Sequence, residues 1–124
     1  MKVAILVREE TLQRCTGKGC LAAFFQKKDA FARYEAEADL ELAAFTHAGG
    51  DLAHKIEMLR SNGVDVVHLS SCLRSRAANY EELVNFLGQH FDVVGYTHGG
   101  ENGKEQQTVN MIKGLCVSDH PNEK

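Results

Sequence analysis

The sequence predicts a small α/β protein, a three-layer sandwich of about four parallel strands with helices on both faces. Three observations predict this class. Short apolar runs recur along the chain, the segments between them are long enough to hold a helix, and those segments carry helical spacing and cap residues. Such alternation is typical of βαβ units with right-handed crossovers. The length of 124 residues predicts one domain, residues 1–116, followed by a flexible tail, residues 117–124.

The first strand is predicted at Lys2–Val7, where the run KVAILV is apolar enough to be buried on both faces of a parallel sheet. The other strands are predicted at Glu41–His47, Gly63–Ser71 and Phe91–His98. We expect the spatial order 2-1-3-4, as in a truncated flavodoxin-like fold. In that order, a crevice forms between strands 1 and 3, outside their carboxyl ends, where open α/β sheets bind ligands.

Helical spacing of apolar residues predicts a first helix from Leu21, with a break at the polar run QKKD. A second helix is predicted after Asp51, whose carboxylate suits an N-cap, and it ends at Asn62-Gly63.

The third helix is predicted to begin at Asn79, to have a capping box formed by Asn79 and Glu82, and to end at Gly88. Beyond His98 the pattern weakens. The run GGENGKEQQ predicts a flexible loop, and TVNMIKGLC predicts either a short helix or an edge strand.

Composition excludes several classes of partner. The formal net charge of -3 provides no basic field for a nucleic acid. No apolar run approaches the roughly 20 residues of a membrane span, so we expect no membrane partner and a cytoplasmic location. In the cytoplasm, 4 cysteines at uneven spacing are expected to be free thiols, metal ligands or redox groups. The sequence indicates neither an oligomeric state nor a reaction.

Residues that can bind a metal follow the predicted strands. Cys15 and Cys20 follow strand 1, Cys72 follows strand 3, and His98 ends strand 4. Because the carboxyl ends of parallel strands share one edge, we expect these residues to converge. Three thiolates and an imidazole form a tetrahedral zinc-binding set. The sequence therefore predicts a metal site there.

His47 and Asp51, at and after strand 2, are additional candidate ligands. Each candidate also has a structural interpretation. The cysteines would be small, semi-buried residues, the histidines would be hydrogen-bonded loop residues, and Asp51 would be a helix cap.

The loop RCTGKGC has two further interpretations. Thr16, Gly17, Lys18 and Gly19 supply backbone amides and a positive charge at a helix start, a seat for a small anion without any metal. Alternatively, the thiol of Cys20 has a lowered pKa near the helix N-terminus and Lys18, and Cys15 is its resolving partner in thiol redox chemistry.

Together, the loop RCTGKGC, the segment NGVDVVHLSSC and the run VVGYTHG resemble the CGGC domain family. The resemblance covers residues 2–98. It implies a small α/β fold and a metal-binding site, with zinc as the expected metal, and it implies no assigned reaction. Where the family's name leads us to expect Cys-Gly-Gly-Cys, this chain has Ala48-Gly49-Gly50-Asp51. Both thiols of that motif are therefore absent, and His47 and Asp51 are their candidate substitutes.

Overall fold

The structure is a computed structural model that describes residues 1–100 and 107–114. Its described strands form a 4-stranded parallel sheet in the order β2-β1-β3-β4. The predicted fold class and strand order are therefore confirmed. The strands are β1 (Lys2–Val7), β2 (Glu41–His47), β3 (Val66–Leu69) and β4 (Asp92–Val94). The helices are α1 (Lys18–Gln26), α2 (Leu52–Ser61), α3 (Ser71–Arg76) and α4 (Tyr80–Gly88), with 3₁₀ helices at Glu10–Gln13 and Asp29–Tyr34.

The sheet is covered on both faces, and β1 shows this most clearly. Ala4 and Leu6 belong to an apolar cluster that includes residues of α2 and α4. Val3, Ile5 and Val7 belong to a second cluster that includes residues of α1 and of the 3₁₀ helix after it. Because successive side chains of a strand point to opposite faces, this division builds the predicted three layers.

The N-cap of α2 and the break after α1 agree with the sequence. Asp51 accepts a hydrogen bond from the backbone N–H of His54 at 3.0 Å, which confirms it as the N-cap of α2. The predicted break after α1 is confirmed at Lys27, whose φ of 52° is left-handed. The predicted capping box of α4 is wrong, because the side chain of Asn79 makes no cap hydrogen bond.

Strands β3 and β4 are shorter than the apolar runs that predicted them. Strand β3 ends at Leu69 because Ser70 caps α3, a short helix that the sequence pattern did not predict. Strand β4 ends at Val94, and the next amide, that of Gly95, donates to Oδ1 of Asn110 at 2.9 Å. Both chain segments therefore leave the sheet early and turn over its carboxyl edge.

The segment after β4 returns to the sheet. Val93 and Met111 form an isolated antiparallel bridge with two N–H···O distances of 2.8 Å. Met111 lies in the run TVNMIKGLC, so the described part of that run pairs with the sheet through this bridge. The predicted tail, Cys116 and most of the predicted GGENGKEQQ loop lie outside the described residues. None of the helices in the described part of the chain is both long enough and apolar enough to span a bilayer.

Candidate functional site

A cleft of about 700 Å³ opens at the carboxyl edge of the sheet, beside the end of β1 and the starts of α1 and α3. This is the edge at which the sequence predicts ligand binding. We call it the thiol cleft, because three cysteines line it. Its lining residues are Val7, Arg8, Thr11, Leu12, Cys15, Gly17, Gly19, Cys20, Ser71, Cys72, Ser75, Arg76 and His98.

Cys15 is exposed and lies in the loop that leads into α1. Its sulfur accepts a hydrogen bond from the backbone N–H of Gly17 at 3.3 Å. Gly17 has a φ of +84°, and a Cβ atom at this position would lie 2.6 Å from Cζ of Phe45. The turn that presents Cys15 to the cleft therefore needs a glycine for both conformation and space.

Only part of the predicted anion-binding loop at residues 16–19 lines the cleft. Gly17 and Gly19 line the cleft, whereas Thr16 and Lys18 are exposed and are not among its described lining residues. The amide of Gly17 is already bonded to the sulfur of Cys15.

Cys20 lies in the first turn of α1 and is only 5% exposed. Its sulfur lies 3.1 Å from Oγ1 of Thr97. Burial raises the pKa of Cys20 to about 11; the contact with Thr97 opposes this shift, and negative charge at Cys72 and Cys15 adds to it. The expected lowering of this pKa is therefore wrong. The thiol faces the core, where loss of solvation outweighs the helix N-terminus.

Cys72 is the second residue of α3 and is half-buried, with its sulfur 2.8 Å from Oγ of Ser70. The neighbouring Ser71 ties α3 to the segment after β4. Its hydroxyl donates to the carbonyl oxygen of His98 at 2.6 Å and accepts from the backbone N–H of His98 at 3.2 Å. These bonds fix the start of α3, which carries Cys72, against the backbone of His98.

The imidazole of His98 lies against the backbone of α1. A Cβ atom on Gly19 would lie 3.0 Å from Nε2 of His98, so the glycine permits this close approach. Burial lowers the pKa of His98; Asp29 opposes the shift, and the positive charges of Arg74 and Lys28 add to it. His98 is thus kept towards its neutral form, the form in which an imidazole nitrogen binds a metal.

His47 and Asp51 are not among the described residues that line the thiol cleft. Nδ1 of His47 accepts the backbone N–H of Gly49 at 3.0 Å, and Asp51 caps α2. The segment that replaces the Cys-Gly-Gly-Cys motif therefore uses its polar groups for local turn and cap bonds. The structure brings Cys15, Cys20, Cys72 and His98 to one cleft without these two.

Within residues 1–100 and 107–114, no group of three or more His, Cys, Asp or Glu side chains is arranged to hold a metal ion. The donor types at the cleft do suit a metal: thiolate and imidazole together are the ligands that zinc and softer divalent metals prefer. The sulfur atoms of Cys20 and Cys72 contact hydroxyl groups. Binding would require these sulfurs to turn from their present positions toward a common centre.

Two arginines of the cleft were missed from the sequence. Arg8 directly follows β1, and Arg76 is the last residue of α3. The position of Arg8 after a strand was a usable signal. Arg76 carried none, because the apolar pattern around it does not predict the short helix α3.

Comparisons with known proteins match the chain to a family and to a curated relative. The sequence profile of the CGGC domain matches residues 2–98. The "Uncharacterized protein MJ0582" of Methanocaldococcus jannaschii is 33% identical over 107 residues, which cover 75% of this chain and 81% of that protein. No solved structure gives a significant match. The chain belongs to the CGGC domain family.

Proposed function

We propose that the thiol cleft binds a soft or borderline divalent metal ion, with zinc as the first expectation. One observation carries the proposal: Cys15, Cys20 and Cys72 line the same cleft as His98, although they come from separate segments of the chain. Three thiolates and one imidazole are a common donor set for tetrahedral zinc.

Groups around the sulfurs support this function. The amide of Gly17 donates to the sulfur of Cys15, and hydroxyl groups of Thr97 and Ser70 lie beside the sulfurs of Cys20 and Cys72. Donors of this kind orient thiolate ligands and moderate their charge in metal sites. Cys15 is exposed on a loop, so its sulfur has room to approach the other two.

In this proposal Cys20 and Cys72 are the anchoring ligands, because helices α1 and α3 hold their backbones. Cys15 closes the site from its loop, and His98 completes it. A metal held by all four residues would have a structural or sensory role, whereas a metal with an open fourth position would supply Lewis-acid chemistry.

The test is elemental analysis of protein purified without a histidine tag or chelator. We expect close to one metal ion per chain in the parent and a loss of metal in Cys15→Ser, Cys20→Ser and Cys72→Ser. Cys116→Ser is the matched control, since it removes a thiol that the proposal does not use. Loading with cobalt(II) adds a second readout, because each thiolate ligand contributes to the charge-transfer absorption.

Cys20 is buried, so circular dichroism must show that Cys20→Ser is folded; exposed Cys15→Ser tests the proposal if it is not. A parent protein that folds and melts cooperatively but binds neither zinc nor cobalt would overturn the proposal. A reversible Cys15–Cys20 disulfide in that metal-free protein would assign the cleft to thiol redox chemistry instead.

A further inference from the structure

Two arginine side chains lie where the thiol cleft meets a second hollow. This hollow has a volume of about 350 Å³ and is lined by residues that include Glu9, Gly49 and Asn79. Arg8 and Arg76 are the described residues that line both spaces. The two spaces therefore adjoin at Arg8 and Arg76 and form one groove, and the cysteines line its thiol-cleft part.

Glu9 and Glu10 line the second hollow together with the two arginines, whereas none of the described residues that line the thiol cleft is Asp or Glu. Nη1 of Arg8 donates to Oγ1 of Thr11 at 3.3 Å, and its Nε lies 3.8 Å from a carboxylate oxygen of Glu10. The side chain of Glu10 is 71% exposed, so this pair is weak. Arg76 is exposed, and no hydrogen bond or ion pair joins its side chain to the described part of the chain.

Arg8 and Arg76 both line the thiol cleft, and two positive charges that border one space repel each other. An anion bound in the cleft would reduce that repulsion. A guanidinium group presents two parallel N–H donors that match an oxyanion. The hydroxyl groups of Thr11 and Ser75 line the same cleft and add further donors. Ser71 adds none, because its hydroxyl already bonds to the backbone of His98.

We propose that Arg8 and Arg76 bind a small oxyanion in the thiol cleft, beside the three cysteines. Thr11 and Ser75 complete the donor set, and Glu10 is an internal competitor that releases Arg8 when the anion binds. The inference uses the same cleft as the proposed metal site and does not depend on a bound metal. It differs from an anion seat at residues 16–19, since the recognition groups are side chains.

The experiment is calorimetric titration of metal-free, chelator-treated protein at low ionic strength, with orthophosphate and malonate as separate probes. We expect saturable binding of at least one probe, with affinity lowered about tenfold in Arg8→Gln and in Arg76→Gln, because each removes a charged hydrogen-bond donor. Orthophosphate binding would assign a tetrahedral oxyanion, and malonate binding would assign a carboxylate. Glu10→Gln is expected to bind more tightly than the parent.

Arg60→Gln is the matched control, because Arg60 is an exposed arginine in the last turn of α2 and its loss changes the net charge equally. An equal loss of affinity in Arg60→Gln would show that the effect comes from the net charge of the protein, and it would overturn the proposal. Absence of saturable binding for both probes would also overturn it. Arg76 is exposed, so Arg76→Gln remains a fair test even if Arg8→Gln loses stability.

The metal proposal and the anion proposal can be tested independently of each other. Cys72→Ser is expected to lose metal and to keep its affinity for the anion, which would support an arginine-based site. Loss of anion affinity in metal-free Cys72→Ser, with affinity retained in Arg76→Gln, would assign the anion to the thiols and overturn the role of the arginines.

Discussion

The sulfur of Cys20 and the hydroxyl oxygen of Thr97 are 3.1 Å apart, although 77 residues separate them in the sequence. The same hydroxyl oxygen accepts the backbone N–H of Ser71 at 3.3 Å. One buried side chain therefore joins α1, the start of α3 and the segment after β4. These are the elements that carry Cys20, Cys72 and His98 to the thiol cleft.

Replacing Thr97 with valine is expected to destabilise the protein by about 1–3 kcal/mol, because the amide of Ser71 and the thiol of Cys20 both lose a buried partner. Denaturant unfolding of Thr97→Val, Cys20→Ala and the double variant measures the pair directly. We expect a coupling energy of at least about 0.5 kcal/mol between the two sites. Additive effects of the two changes would show that the Cys20–Thr97 contact contributes nothing to stability.

The buried His68 predicts a loss of stability in mild acid. Its Nδ1 lies 3.0 Å from the carbonyl oxygen of Tyr96, so Nδ1 donates, and Nε2 accepts the hydroxyl of Tyr34 at 2.8 Å. Burial lowers the pKa of His68 from 6.5 to about 3; the bond to Tyr96 opposes the shift and the charge of Arg33 adds to it. The folded protein thus holds this ring neutral.

Below about pH 6.5 the unfolded chain binds a proton at His68, whereas the folded chain does not bind this proton until about pH 3. The stabilisation by the neutral ring is complete above about pH 6.5 and is lost by about 1.4 kcal/mol per pH unit on acidification. Denaturant unfolding across this range should give a shallower pH slope for His68→Gln than for the parent. Equal slopes, or a ring NMR signal that titrates near neutral pH in the folded parent, would contradict this prediction.

We expect an added methyl group at Gly17 to lower the free energy of unfolding. Gly17 and Gly99 have nearly the same positive φ, +84° and +83°. A Cβ on Gly17 would lie 2.6 Å from the Phe45 ring, whereas a Cβ on Gly99 would meet none of the described residues within 4 Å. Gly99→Ala therefore measures the conformational cost alone, about 1–2 kcal/mol, and Gly17→Ala should cost at least about 1 kcal/mol more. Equal unfolding free energies for the two variants would remove the role assigned to the Phe45 contact.

Much of the architecture could be predicted because its signals are local. The run Lys2–Val7 is apolar at nearly every position, which is typical of a strand buried on both faces, and Asp51 stands directly before a helical pattern. The boundaries of β3 and β4 could not be predicted in the same way. They depend on bonds made by Ser70 and Gly95, and the partner of the Gly95 amide, Asn110, is 15 residues away.

The sequence by itself determined the α/β class and the positions of Cys15, Cys20, Cys72 and His98 after the strands, because these follow from periodicity. The strand order was expected from a flavodoxin-like fold, and the structure confirms it. The tertiary structure alone decided that the thiol of Cys20 is buried in the core and that Arg8 and Arg76 line the same groove. Desolvation and the summed field of distant charges exist only once the chain has packed, so neither can be read from local pattern.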